Sequence, residues 1–167
     1  MSLSPEQAKA MADYALADYG RERDTTKRVI AAIPETGFNY TPDPKSMTAL
    51  DLAWHIASAE WFFLNSVCEG QFSAGESKRP DTIRNTQDVL AWYDKNVPPM
   101  LERAKGLSGQ QMAKSIDFFG QMQAPAVAYV ILMIKHGVHH RGQLSAYLRP
   151  MGAKVPGIYG PSGDSQK

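Results

Sequence analysis

AVAYVILMIKHGVHHRGQLSAYLR, running from Ala126 to Arg149, is the stretch whose reading decides this fold. Its apolar half leads without a break into three of the four histidines in the chain, and Pro150 and Gly152 follow as stop signals. The spacing predicts one long helix from near Pro125 to about Arg149. On such a helix His136 and His140 sit one turn apart, about 40° from each other around the axis. Gln143, Tyr147 and Tyr129 fall within about 20° of His136 on the wheel. That line is polar and ring-rich where a purely structural helix would carry leucine or isoleucine, so it suits a pocket wall. His139 lies about 100° from His140 and is expected to point to a neighbouring helix or solvent. Arg141 lies about 140° from His136, away from any shared site, and is expected in a salt bridge or an interface. Gly137 and Gly142 each cost about 1 kcal/mol of helix propensity relative to alanine, which small size at a close helix approach would explain.

Working outward, three more amphipathic segments appear. Ser4-Pro5-Glu6-Gln7 is a capping box with proline at the first helical position, opening a helix over about 5–32 that Pro34 ends. Residues 34–45 hold Pro34, Gly37, Pro42 and Pro44 and read as a loop. Ser46 or Thr48 caps a second, strongly apolar helix that closes at Gly70 and carries His55, the only histidine outside the later run. A third helix begins near Asn85-Thr86, with Pro98-Pro99 expected to kink or interrupt it. Ser108 to Lys114 offers a short extra helical turn, and Ile116 to Gln123 reads as extended or irregular. Long helices with almost no strand signal predict an all-α, four-helix bundle over 1–153 and an irregular tail over 154–167. The loop between the second and third helices is long enough to cross over, which leaves the topology open.

Composition excludes several function classes. The chain has 167 residues, 43% hydrophobic and 21% charged, with a net charge of +1. No basic block supplies an electrostatic footprint for nucleic acid. The longest apolar stretch, Ala124 to Ile134, is too short for a membrane span, and no secretory signal is visible. The single cysteine, Cys68, suits a reducing compartment and reads as a small core residue; the cytoplasm is the expected location.

His136, His140 and His55 together are candidate metal ligands. A lone histidine on an apolar helix is more often a satisfied core residue, and it is the paired spacing that shifts the weighing. Three imidazoles leave a divalent ion with open positions, as catalytic rather than closed structural sites do. Nitrogen donors suit zinc, nickel, copper or iron alike; the expected cofactor is a divalent ion, zinc or nickel first, with iron, copper or manganese as alternatives. Asp51, one turn before His55, reads either as a carboxylate orienting that ring or, preferred, as part of the helix cap. Glu60, about 140° from His55, is poorly placed as a ligand.

The run Lys135-His136-Gly137-Val138-His139-His140-Arg141-Gly142-Gln143-Leu144 with Tyr147-Leu148-Arg149 resembles the last-helix signature of the DinB/YfiT-like superfamily. Leu52-Ala53-Trp54-His55-Ile56-Ala57-Ser58-Ala59-Glu60 resembles its other signature, and the likeness extends from about residue 10 to Tyr159. The resemblance implies a four-helix bundle that binds a divalent metal through His55, His136 and His140, often as a homodimer. His139 matches a variable position. Relatives include transferases that use bacillithiol, mycothiol or glutathione, a maleylpyruvate isomerase branch and hydrolase-like members. The leading expectation is therefore a metal-dependent enzyme that adds a low-molecular-weight thiol to a small electrophile, with Tyr129, Trp61 or Tyr147 shaping the pocket. Metal-assisted hydrolysis and a non-enzymatic, stress-induced metal-binding role stand as alternatives.

Overall fold

The computed structural model describes residues 3–75 and 78–165. Helix α1 spans Pro5–Ala31; the Ser4 hydroxyl accepts from the Gln7 amide at 3.2 Å while the Gln7 side chain accepts from the Ser4 amide at 2.9 Å. A single 3₁₀ turn, Glu35–Gly37, interrupts the loop that follows. Helix α2, Ala49–Glu69, is capped by Thr48 and ends at Gly70 in the left-handed conformation, φ 68°. Helix α3, Thr86–Lys105, takes its cap from the Asn85 side chain at 2.8 Å. The short α4, Gly109–Ala113, repeats the capping box through Ser108 and Gln111. Helix α5, Ala126–Leu148, completes the set.

The expected interruption of α3 is corrected. Pro98 and Pro99 lie inside α3 without interrupting it. Proline there removes the amides that would bond the carbonyls of Asp94 and Lys95, and both of those residues are exposed, so water can satisfy the freed oxygens. The segment read as extended or irregular takes the extended alternative and forms a hairpin. Strand β1, Ser115–Phe118, pairs antiparallel with β2, Met122–Pro125, with Phe118 opposite Met122. Its turn places Phe119 and Gly120 in the left-handed region, φ 51° and 72°, a cost that phenylalanine rather than glycine has to bear.

Helices α1 and α2 each pack against both α3 and α5, so the consecutive pair α1 and α2 stand diagonally across the bundle. The core between them is aliphatic and aromatic: Leu16, Tyr19, Leu52, Ile56, Leu64, Tyr93, Tyr129, Met133 and Leu144 are all fully buried. Gly137 is one of the close approaches, but Gly142 faces open space and no packing role explains it. Beyond Gly152 the chain lies back over the bundle without regular structure: the Tyr159 hydroxyl donates to Glu22 at 2.9 Å, and Arg141 donates to that hydroxyl at 2.6 Å. Among the described residues no helix is long and apolar enough to cross a membrane.

Candidate metal centre

The histidines come from two helices packed side by side. On α2, the Thr48 cap sets the start of the helix and so the angular position of His55. On α5, the i, i+4 spacing stacks His136 and His140 on the line that faces α2. The structure brings all three rings together. Nε2 of His55 lies 3.1 Å from Nε2 of His136, and one ring nitrogen from each of the three residues lies within 4.8 Å of the others. Ring centroids are 4.4–4.9 Å apart in every pair. Two nitrogens that share one ion at about 2.1 Å stand roughly 3–3.5 Å apart, so the donor set fits a divalent cation. Among the described residues no fourth histidine, cysteine or carboxylate joins the group.

The rings are half-buried and electrically prepared for a cation. Burial pushes the His136 imidazole down to about 4, helped by the neighbouring His140, His55 and His139. Burial also lowers His55, with His140 adding to it, and lowers His140 against the opposing bond from Gln143. Neutral imidazoles at neutral pH leave lone pairs free to bind. The Gln143 side-chain oxygen accepts from Nδ1 of His140 at 3.1 Å while its amide donates to the Tyr147 hydroxyl at 3.0 Å. That relay puts the His140 proton on Nδ1 and leaves Nε2 unprotonated. Tyr147 in turn packs edge-on against Tyr40, 5.7 Å between ring centres.

Other singled-out residues lie elsewhere. His139 is exposed and outside the cluster, as its angle suggested. Asp51 takes the helix-cap role, accepting from Thr48 Oγ1 at 2.6 Å and from Arg79 Nε at 2.7 Å. Tyr129 is fully buried, with its hydroxyl 3.0 and 2.9 Å from the carbonyls of Ile116 and Met122; it anchors the hairpin and does not line a pocket. Trp61 packs against Trp92 of α3, on another side of α2. Phe63, read in the sequence only as core, has its ring 6.0 Å from His136 and stacks with Phe118 of the hairpin. Its helical position alone did not distinguish it from a dozen other core residues. Arg141 is 1% exposed and pairs with Glu22 at 2.6 Å.

Residues 9–166 match the DinB family. The chain belongs to the DinB family. Two Bacillus subtilis proteins are similar to this DinB member. YjoA is 29% identical over 78% of this chain and 84% of its own length, and YrdA is 26% identical over 90% and 89%. The crystal structure of a DinB-like protein from Bacillus cereus superposes with a TM-score of 0.74 at 25% identity, covering 87% of this chain and 95% of that one. The crystal structure of YjoA gives a TM-score of 0.70 at 22% identity, covering 88% and 99%. The DinB/YfiT-like bundle and its histidine cluster are thus the frame for any functional reading.

Proposed function

We propose that His55, His136 and His140 hold a divalent metal ion, zinc or nickel first, and that the protein transfers a low-molecular-weight thiol to a small electrophile. The observation that carries this reading is a donor set of three neutral imidazoles with no fourth protein ligand among the described residues. A metal with an open position supplies Lewis acidity that keeps a thiol deprotonated near neutral pH. The chain's own part is to hold the imidazoles neutral, to fix the His140 tautomer through Gln143, and to wall the site with Phe63 on one side and Tyr147 on the other. In the transfer the sulfur bonds to the electrophilic carbon, the leaving group departs with its electron pair, and the thiol proton passes to solvent. A homodimer is part of the proposal: Met11 and Tyr14 of α1 are 40% and 77% exposed beside Ile131 and Ile134 of α5, an apolar strip suited to a second copy. We place the protein in the cytoplasm, where its lone thiol, Cys68, stays reduced.

Elemental analysis of protein purified without chelator or affinity metal should find about one divalent ion per chain, lost in His55→Ala and His140→Ala. Metal-loaded protein with 1-chloro-2,4-dinitrobenzene should release chloride only when glutathione, bacillithiol or mycothiol is added. Thiol-independent turnover of ester substrates, with a rising limb as pH increases, would favour hydrolysis instead. Sedimentation velocity should give a dimer that Ile134→Glu converts to monomer.

A further inference from the structure

Behind the histidines, on the core side of the same helix pair, lies a buried cluster around one carboxyl group, built by all four long helices. Glu60 of α2 is 3% exposed, and a single oxygen of its carboxyl group is bonded by the hydroxyls of Tyr19 from α1 and Tyr93 from α3. Those hydroxyls stand 3.4 Å apart, and the Arg23 guanidinium lies 5.4 Å from the Tyr93 ring centre. The other carboxyl oxygen faces α5 at Gly137, where an added Cβ would lie 2.8 Å from it. A carboxyl group at the end of a flexible side chain could ordinarily swing aside. This one is tied through its second oxygen to two tyrosines inside a close-packed core, so swinging it aside would break those bonds. Gly137 directly follows His136 in sequence, and Glu60 lies five residues beyond His55. The two helices thus touch on both flanks of one seam: imidazole to imidazole outside, carboxyl to glycine inside.

We propose that Glu60, clamped by Tyr19 and Tyr93 and seated against Gly137, is the positioning residue that sets the α2–α5 spacing and so the separation of His55 from His136. The consequence for metal binding rests on the three-histidine reading, but the spacing itself does not. Neither Glu60 nor Gly137 belongs to the histidine cluster.

The test is a crystal structure of Gly137→Ala with a cobalt(II) titration followed by its visible absorption. The His55–His136 Nε2 separation should widen by several tenths of an ångström and cobalt affinity should fall by about tenfold or more, with helical content retained. Glu60→Gln, which keeps the size and an acceptor for both hydroxyls, should hold the native separation and affinity. In Gly137→Ala/Glu60→Asp the carboxyl group is one methylene shorter, and separation and affinity should move back toward native. A folded Gly137→Ala protein with unchanged separation overturns the proposal. If Gly137→Ala does not fold, recovery of folding in the double variant supports the clash with Glu60, and failure there overturns it. Native protein that takes up no cobalt while Gly137→Ala widens the gap would refute the metal reading and leave the positioning role standing.

Discussion

His136 and Glu60 pull the pH dependence of stability in opposite directions. His136 is held down to about 4 in the folded protein against an ordinary 6.5, and His55 and His140 are lowered too. Between those limits the unfolded chain binds protons that the native rings refuse. The stability from neutral imidazoles is therefore complete above pH 6.5 and drains away as pH falls toward 4. Burial raises Glu60 from 4.5 to about 7 despite bonds from Tyr19 and Tyr93 and the nearby Arg141 and Arg23. Its contribution is complete below pH 4.5 and is lost as pH rises through 7. The two windows overlap between pH 4.5 and 6.5, where three lowered imidazoles oppose one raised carboxyl. Urea unfolding of metal-free protein across pH 4–9 should therefore show stability rising to about pH 6.5 and falling above it as Glu60 finishes ionising. Glu60→Gln should abolish the fall above pH 6.5 and steepen the rise below it, and His136→Gln should make that rise shallower.

At the level of single elements, α5 does most to organise the site, and the hydrogen bonds along its outer line should be measurable. Gln143→Ala removes the acceptor that holds the His140 proton on Nδ1 and leaves the Tyr147 hydroxyl without its donor. Metal affinity should fall about 10–100-fold in an isothermal titration while unfolding stability changes little, because Gln143 is only half-buried. Helix α5 was also the element most legible in the sequence, since apolar periodicity, histidine spacing and terminal Pro150 agree with one another. The hairpin was legible only as a segment that is extended or irregular, not as a pair of strands. Each of its strands has four residues, too few for alternation to stand out, and Phe119-Gly120 lacks the Asn-Gly signature of a tight turn. The two prolines of α3 misled because their effect depends on whether the freed carbonyls meet water, which only the packed helix reveals.

Across the whole molecule, the convergence of His55 with His136 and His140 was readable because each helix face could be drawn separately and the chain holds so few histidines. The Glu60 cluster was not. Angle alone placed Glu60 away from the histidine cluster, yet Tyr19 and Tyr93 lie on helices whose registers relative to α2 no local pattern encodes. The tail's irregular course was readable from the glycines and prolines of Val155 to Pro161, but its anchoring was not: Tyr159 closes a network with the buried Arg141 and Glu22 that links α1, α5 and the tail. Tyr159→Phe should cost about 1 kcal/mol in denaturant unfolding, as one partly exposed bridge is lost. Arg141→Ala should cost about 3 kcal/mol, since Glu22 is then left poorly compensated.

The ring nitrogens that meet at 3.1 Å belong to residues 81 positions apart in the chain. A local hook of two cysteines can seize an ion while most of its domain is still unmade; here the one-turn pair, His136 and His140, lies on the last long helix and lacks its third donor until that helix docks. Until the last long helix has docked against its neighbour, His55 is a solitary donor. An ion bound by all three imidazoles would therefore certify that folding has finished, and its loading would follow, rather than guide, the assembly of the bundle.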